Sequence, residues 1–465
     1  MRMLPVSDQD RIEKDSLGEV RVTASALWGA QTQRAVDNFR IGGLPMPAAL
    51  IRAIALVKWA AAETNGEIGE LPPAMAAAIA GASLEIAAGR HADHFPVGVM
   101  QTGSGTSTNM NANEVIARLA GARLGTAVHP NDHVNRCQSS NDVIPTAIHL
   151  AAALELRDTL LPALDVLARA LADKASQVGG QVKPGRTHLM DALPVTLGQE
   201  MHAWQSQVED AARRIGGVTV RLHRLALGAT AVGTGVNAHP QFAARAIGRI
   251  AARTGLALAA APDRFASLAA QDTAVELSGQ LRGAAVVLLK IANDLRWMNS
   301  GPLAGLGEIS LPALQPGSSI MPGKVNPVIP EAVAMAATQV MANDVAVAMA
   351  GASGNFQLNV MLPLIAHALL QSIALLADSA RALAERAIPG LTVNTRRIAE
   401  TLARNPMLLT ALAPRIGHDR AAAIARRAAG ELRPVLDVAV EETGLPREEL
   451  ARLLDPARLA RNEVP

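Results

Sequence analysis

The chain has 465 residues, a formal net charge of +2, one cysteine and no tyrosine. The scattered arginines give nucleic acid no basic stripe to bind, and a single cysteine cannot form an intrachain disulfide. Hydrophobic residues make up 49 % of the chain but aromatic residues only 2 %, so the core must be aliphatic. Such a core favours long, closely packed helices over a β-sandwich or β-barrel.

The N-terminal residues contain no apolar signal core, and the early acids Asp8 and Asp10 are untypical of a transit peptide. We therefore expect a cytoplasmic protein. The stretch from Val345 to Ala377 has no Asp, Glu, Lys or Arg, but polar residues such as Asn355 and His367 interrupt it. A lipid-facing span rarely tolerates such residues, so we predict that this stretch is buried in protein and not in a membrane.

The first part of the chain mixes short extended segments with helices. Its predicted elements are a hairpin or arm over residues 11–22, an exposed turn into a helix at Trp28–Arg34, and helices over residues 48–65 and 73–89.

Two polar stretches then precede helices. Residues 102–111, T-G-S-G-T-S-T-N-M-N, open a helix that carries Asn113 and Glu114 in its first turns. They lack the third glycine of a dinucleotide-binding motif, and either an anion site or a well-capped helix start fits them. Residues 139–142, S-S-N-D, stand just before the next helix, where they predict a cap or an anion site at its positive end.

Long helical patterns fill the middle of the chain. Apolar residues at three- and four-residue spacing after residue 142 predict a helix of about 37 residues, roughly 55 Å long, with a kink at Pro162. The pattern over 273–298 is the most regular and is typical of a bundle seam. The other predicted elements are a turn over 182–194, helices over 195–225, 331–350 and 358–387, and small C-terminal helices over 395–403, 419–430, 432–442 and 447–454.

Residues Gly317–Pro327 read G-S-S-I-M-P-G-K-V-N-P and lie between two of the long helices. Glycines let backbone N–H groups turn inward, prolines stiffen the loop, and Lys324 adds a positive charge beside two hydroxyls. A helix connector and an anion-binding loop fit this composition equally well. A nucleotide-binding P-loop is excluded, because the spacing between Gly317 and Gly323 is too long and Val325 follows the lysine.

The positions of the polar clusters predict an assembly. Residues 139–141 begin the first long helix, whereas Thr187 and His188 lie in the turn that follows it. Within one chain they should be tens of ångströms apart, at roughly 1.5 Å per helical residue. If they serve one reaction, the site must combine residues of several chains, which a symmetric tetramer achieves.

The residues resemble those of the superfamily of fumarase, aspartase and argininosuccinate lyase, and within it the class II fumarases. The loop Gly317–Pro327 is similar to the superfamily signature almost letter for letter, and the resemblance extends from about Arg11 to Asp419. The other similar motifs are T-G-S-G-T at 102–106, H-P-N-D at 129–132, S-S-N at 139–141, G-R-T-H at 185–188, G-T-G at 233–235 and K-I-A-N-D at 290–294.

The resemblance implies a mainly α, three-domain fold whose central bundle joins a tetrameric helical core. The implied domains are a mixed, mostly helical one over 1–133, a five-helix bundle over 134–389 and a small helical one over 390–465. It also implies a homotetramer with active sites shared among three chains, a small dicarboxylate substrate, and no metal or organic cofactor.

The roles of individual residues follow from the same resemblance. Ser318 is the expected base, assisted by Lys324, and His188, oriented by Glu331, is expected to deliver a proton to the leaving hydroxyl. The expected substrate-binding residues are Ser104, Gly105, Thr106, Ser139, Ser140, Asn141, Thr187, Ser319 and Asn326. A second dicarboxylate site is expected at His129, Pro130, Asn131 and Asp132, although Gly125, Thr126 and Ala127 leave it without its basic companion.

The implied reaction is the reversible hydration of fumarate to (S)-malate by anti addition of water. Aspartate ammonia-lyase is the closest alternative, but aspartases typically carry glutamine where His188 stands and G-A-G-T in their earlier loop. A catalytically silent structural paralogue is the third reading, and the intact Ser318, Lys324 and His188 positions disfavour it.

Overall fold

The structure, a computed structural model, describes residues 10–463 of the chain. It is mainly α-helical, as predicted. In chain order the helices are α1 (Ala30–Asn38), α2 (Ala48–Glu67), α3 (Pro73–Ala87), α4 (Thr106–Leu124), α5 (Ser140–Glu155), α6 (Leu161–Val178), α7 (Leu197–Gly216), α8 (Thr219–Leu222), α9 (Phe242–Thr254), α10 (Arg264–Ala269), α11 (Asp272–Met298), α12 (Val328–Gly351), α13 (Leu362–Ala382), α14 (Thr395–Ala403), α15 (Ala413–Ile416), α16 (His418–Glu431), α17 (Val435–Thr443), α18 (Arg447–Leu453) and α19 (Pro456–Ala460).

The strands of the described residues form two-stranded pairs only. Four pairs are antiparallel and one, Arg224–Leu225 with Ala259–Ala260, is parallel. The strands are β1 (Asp10–Asp15), β2 (Gly18–Thr23), β3 (Val182–Thr187), β4 (Met190–Thr196), β5 (Arg224–Leu225), β6 (Ala259–Ala260), β7 (Ile309–Ser310), β8 (Gly354–Asn355), β9 (Leu358–Asn359) and β10 (Thr392–Val393).

The chain divides into two compact units. The first unit contains the described residues up to Pro162, together with Arg213–Ala285 and Thr338–Ala377, and the second unit contains Ala163–Ala212, Val286–Ala337 and the residues from Asp378 onward. The predicted division into three domains, with borders at 133 and 389, stays a prediction.

The core of the first unit is built around α2. This helix packs against α3, α5 and α9, and its own side chains Leu50, Ile54 and Val57 are fully buried. Alanines on α2 and α3 let the helices approach closely, so the aliphatic composition suffices to fill the core without aromatic residues.

The predicted N-terminal hairpin is confirmed as β1 and β2, but the predicted exposure of the turn at Trp28 is wrong. Trp28 is only 7 % exposed, because its ring packs beside His94, with ring centroids 6.0 Å apart. The helix that follows, α1, is capped by Glu114 of α4. Its carboxylate accepts hydrogen bonds from the backbone N–H groups of Gly29, Gln31 and Thr32 at 2.9 to 3.1 Å.

The long helix predicted after residue 142 is present as α5 and α6, joined by a π-helical segment at Leu156–Leu160. The irregularity therefore lies one turn before Pro162, where the kink was predicted. Proline has no N–H group and its ring clashes with the carbonyl four residues earlier, and a π segment at that place relieves both problems.

The predicted turn over residues 182–194 is formed by the antiparallel hairpin of β3 and β4, whose strands were not predicted. The helix that follows is also shorter than predicted: α7 ends at Gly216, where the pair Gly216–Gly217 interrupts it before α8. Similarly, residues 354–359 form a small hairpin, so α13 begins at Leu362 instead of residue 358.

The C-terminal helices share one core within the second unit. Its buried members include Leu409, Leu412, Ile424, Val438 and Leu450. The predicted small helices are therefore confirmed, and Pro434 sets the start of α17 at Val435 instead of residue 432.

Among the described residues, two helical stretches are long and apolar enough to cross a membrane by length and composition. They are Val328–Gly351 and Leu362–Ala387, with mean hydropathies of 1.3 and 1.4 and with 33 % and 67 % of the apolar window buried. Core helices of soluble proteins pass the same test, so two such helices are weak support for a membrane span. The absence of a membrane partner stays a prediction.

Candidate active site

The loop Gly317–Pro327 in the second unit folds back on itself. The N–H of Gly317 donates to the carbonyl of Lys324 at 2.7 Å, and the side-chain amide of Asn326 donates to the carbonyl of Gly317 at 2.8 Å. A Cβ atom on Gly317 would lie 2.7 Å from that lysine carbonyl, so the close approach requires glycine. Residues 317–327 therefore form a closed turn, and their role as an anion-binding loop stays a prediction.

Ser318 directs its hydroxyl oxygen into this turn. The oxygen accepts hydrogen bonds from the N–H groups of Ile320, at 3.2 Å, and Met321, at 3.0 Å. Consecutive inward-facing N–H groups of this kind stabilise negative charge. The geometry lowers the free-energy cost of an alkoxide at Ser318.

The rest of the loop is open to solvent. Ile320 is 84 % exposed and Met321 is 49 % exposed, and Ser319 and Lys324 are exposed as well. Within residues 10–463, the side chains of Ser319 and Lys324 contact no hydrogen-bonding or ion-pair partner. They are accessible to an anion that approaches the loop.

His188 occupies the tip of the β3–β4 hairpin. Thr187 pairs with Met190, so His188 and Leu189 form a two-residue turn, and both have positive φ angles of 57° and 59°. Such turns are normally made by Asn-Gly or Gly-Gly, because other residues pay a steric cost at positive φ. The strained turn holds Thr187 and His188 exposed to solvent.

A buried cluster of charges anchors this hairpin. Glu308 accepts from Arg186 at 2.7 Å and lies 3.3 Å from the ammonium of Lys183, which also lies 3.1 Å from Glu200. Lys183 and Glu308 are each 2 % exposed. Because Arg186 stands two residues before His188, the ion pair fixes the strand that presents the histidine.

Glu331 lies in the first turn of α12, where its N–H donates to the carbonyl of Pro327 at 3.1 Å. A carboxylate at that place interacts favourably with the positive end of the helix. In the described part of the chain no hydrogen bond joins Glu331 to His188. The predicted orientation of the His188 ring by Glu331 therefore stays a prediction.

The remaining predicted site residues belong to the first unit. Ser104 and Thr106 are joined by a 2.9 Å hydrogen bond between their hydroxyls, at the start of α4. Gly105 between them has φ of 74°, and a Cβ atom there would lie 2.9 Å from Ile144 of α5. Glycine thus allows the two helix starts to pack together.

The start of α5 is organised by a capping box. The hydroxyl of Ser139 accepts from the N–H of Asn141 at 3.2 Å, and the carboxylate of Asp142 accepts from the N–H of Ser139 at 3.0 Å. The side chain of Asn141 donates to the carbonyl of Ala231 at 2.8 Å. Ser139, Ser140 and Asn141 are half-buried at the positive end of the helix, as an anion site requires.

Asp142 also fixes a second loop. Its carboxylate accepts from the N–H groups of Gly228, at 3.0 Å, and Thr230, at 2.9 Å, and the residue is fully buried. Burial raises the pKa of this carboxyl to about 6, while its backbone donors oppose the rise. The sequence predicted a cap or an anion site for residues 139–142, and nothing in the sequence pairs Asp142 with a loop 86 residues away.

The predicted second dicarboxylate site lies at a short π-helical turn, Pro130–Val134. The Nδ1 atom of His129 accepts from the N–H of Asp132 at 3.0 Å. His129, Pro130 and Asn131 line a cleft of about 960 Å³. Arg118 also lines this cleft, and its guanidinium is paired with Glu13. The site stays a prediction.

Within residues 10–463, no group of three or more His, Cys, Asp or Glu side chains has the geometry to hold a metal ion. The single cysteine, Cys137, is free and buried.

Two family models match the chain. One, described as Lyase, matches residues 18–342, and the other, described as Fumarase C C-terminus, matches residues 408–461. The chain is 57 % identical over 458 residues to a protein of Xylella fastidiosa named fumarate hydratase class II, covering 98 % of this chain and 97 % of that one. It is 58 % identical over 449 residues to fumarate hydratase class II 2 of Pseudomonas aeruginosa, covering 97 % and 98 %.

A solved structure is similar as well. The crystal structure of recombinant class II fumarase from Schistosoma mansoni superposes with a TM-score of 0.93 at 37 % sequence identity, covering 97 % of this chain and 99 % of that one.

Proposed function

We propose the function from one premise: this chain belongs to the class II fumarate hydratase family of lyases. It is accordingly a lyase. The proposed reaction is the reversible hydration of fumarate to (S)-malate by anti addition of water. The observation that carries the assignment of the base is the Ser318 oxygen held among the N–H groups of its own loop.

Dehydration of malate removes a weakly acidic proton from the carbon beside a carboxylate. The intermediate then carries an extra negative charge on a molecule that is already a dianion, and stabilising that charge is the main catalytic task. Ser318 as alkoxide takes the proton. Lys324 and Asn326 of the same loop, with Ser319, bind the carboxylate that accumulates the charge, and one pair of charges near 4 Å contributes roughly 4 kcal/mol at an effective dielectric of about 20.

The hydroxyl that leaves on the opposite face needs a proton. His188 supplies it directly or through a water molecule, and Glu331 orients the ring. The exposed, strained hairpin tip supports this role, because it presents the imidazole to a ligand instead of to the protein interior.

The other carboxylate of the substrate is bound by hydroxyls and amides at two helix starts and by Thr187. In the first unit these groups belong to Ser104, Gly105, Thr106, Ser139, Ser140 and Asn141. Residues 139–141 and Thr187 are separated in sequence by the helices α5 and α6, and we propose a homotetramer in which each site takes residues from three chains. A cytoplasmic location, independence of cofactors and a dicarboxylate at His129–Asp132 are retained as proposals.

The activity is tested by adding purified protein to fumarate and following the conjugated absorbance, with a parallel reaction that contains ammonium and is analysed for aspartate. We expect loss of absorbance with malate formed in equal amount, and no aspartate. Aspartate formed only in the presence of ammonium would support the aspartase alternative, and an inert tetramer would support a silent paralogue.

The shared site is tested by coexpressing two inactive variants, Ser318→Ala and His188→Asn. If the two residues of a site come from different chains, random mixing restores about a quarter of the sites. The matched control is Ser318→Ala with Lys324→Ala: both residues lie on one loop, so mixing should restore none. Equal recovery in both pairs, or in neither, would contradict the proposed assembly.

A further inference from the structure

Lys58 lies in the middle of α2 and is fully buried. Its ammonium donates to the side-chain oxygens of Asn135, at 2.8 Å, and Gln138, at 2.9 Å. Burial lowers the pKa of this ammonium to about 7, and Asp142 only partly opposes that effect. Burying an amine costs folding free energy that an apolar side chain in the same space would not cost. The contacts of Lys58 therefore indicate what role it has.

Asn135 links Lys58 to two further asparagines by hydrogen bonds. Lys58 donates to the side-chain oxygen of Asn135, so Asn135 must turn its oxygen toward the amine. The same oxygen accepts from the side-chain amides of Asn109 and Asn113, each at 3.2 Å. Because the oxygen faces them, Asn109 must present its NH₂ group and not its own oxygen.

The NH₂ group of Asn109 has a second acceptor. It donates to the hydroxyl oxygen of Ser140 at 3.0 Å, in addition to the oxygen of Asn135. Both hydrogens of the amide are thus used, and the Ser140 oxygen acts as an acceptor toward the protein. The hydroxyl hydrogen of Ser140 is left to donate outward, toward the start of α5 where an anion would bind.

We propose that Lys58 is a positioning residue for substrate binding, which fixes the Ser140 hydroxyl as a donor to a substrate carboxylate through the chain Lys58, Asn135, Asn109 and Ser140. The inference rests on the proposed function, since it takes Ser140 to contact the dicarboxylate. Lys58 touches no substrate, and its effect is transmitted only by the direction of three hydrogen bonds. Replacing the ammonium by an apolar group removes the shortest hydrogen bond to Asn135, whose orientation then depends on its 3.2 Å bonds with Asn109, Asn113 and the carbonyl of Gln138. Reversal of Asn135 and Asn109 turns a lone pair of Ser140 toward the anion.

The experiment is a double-mutant cycle on KM for fumarate and on Ki for succinate. The variants are Lys58→Met, Ser140→Ala and the combination of both. We expect each single change to raise KM and Ki about tenfold, the usual effect of one hydrogen bond to a charged group. KM and Ki of the double variant should lie within about twofold of those of Ser140→Ala, because Lys58 acts only through the Ser140 hydroxyl.

Lys174→Met is the matched control. Lys174 is also a buried lysine, but its ammonium donates to the backbone carbonyls of Pro389, at 2.7 Å, and Leu391, at 3.2 Å, in the second unit. It should leave KM and Ki within about twofold of wild type. If Lys58→Met fails to fold, Asn109→Leu interrupts the same chain with Lys58 in place and replaces it in the cycle.

Unchanged KM and Ki in Lys58→Met, or effects that multiply in the double variant, would overturn the inference while the proposed function stands. A wild-type protein inert toward fumarate would instead overturn the proposed function and this inference with it.

Discussion

Substitution of Ser318 by alanine separates an effect on catalysis from an effect on stability. The variant loses the oxygen proposed as the base. A general base contributes between about 10² and 10⁴ in rate, so kcat should fall by about 10³, equivalent to about 4 kcal/mol of activation free energy. Since the base acts only in the transition state, kcat and kcat/KM should fall together.

The structure predicts a small effect of the same substitution on stability. The N–H groups of Ile320 and Met321 lose their acceptor, but both residues are exposed, so water replaces the serine oxygen. Each exchange costs at most about 1 kcal/mol, and the bonds of Gly317 to Lys324 and Asn326 remain. The Tm of this 465-residue chain should move by no more than about 2 °C.

The assay compares Ser318→Ala with Ser319→Ala, which removes the neighbouring hydroxyl. Ser319 is proposed to bind a carboxylate, so its loss should raise KM and leave kcat within about tenfold of wild type. Steady-state kinetics with fumarate and a thermal melt are measured on both variants. Turnover above about a tenth of wild type in Ser318→Ala would refute Ser318 as the base, since a base contributes at least 10².

Three further predictions concern the framework. Glu114→Gln leaves at least one of the three N–H groups at the start of α1 without an acceptor. Urea titrations should show that the free energy of unfolding falls by about 2–4 kcal/mol. A change below about 0.5 kcal/mol would contradict this cap. Gly105→Ala should destabilise more than Gly69→Ala, since both glycines have positive φ but only Gly105 has a neighbour within 4 Å; equal losses would show that packing adds nothing. Raising the pH from 6.5 to 8.5 should increase the free energy of unfolding of wild type relative to that of Lys58→Met by about 2 kcal/mol. Because the pKa of Lys58 is lowered to about 7 from 10.5, the unfolded chain binds this proton more readily than the folded protein does, so stability is lost as the pH falls to 7. A pH-independent difference between the two proteins would contradict the burial of an ammonium beside Asp142.

Helices could be predicted from the sequence where one face is apolar over many turns. The pattern over 273–298 predicted α11 to within one residue, and Pro73 marked the start of α3, whereas α12 begins at Val328 instead of the predicted residue 331. Local chemistry also predicted the cap at Ser139, because its partner Asp142 lies three residues away. Each of these features is decided by residues that are near one another in sequence.

Features that depend on distant partners were missed. Glu114 lies in the helix where it was predicted, but the sequence did not indicate that its carboxylate caps α1, with a partner 85 residues earlier in the chain. The contact of Lys58 with Asn135 joins residues 77 positions apart, and no pattern in the sequence indicates it. The chain was predicted to turn at His188, but the two strands of the hairpin were missed, because Pro184 and Gly185 are untypical of a strand interior and His-Leu is an unusual pair for a tight turn.

The most direct test of the account is a proton NMR spectrum of fumarate incubated with the purified protein in D₂O, beside a tube that contains ammonium. The account predicts loss of the olefinic proton signal and formation of malate with one deuterium at C3 in a single diastereomer, whether or not ammonium is present. Unchanged fumarate, malate deuterated in both diastereomers, or aspartate as the product would contradict it.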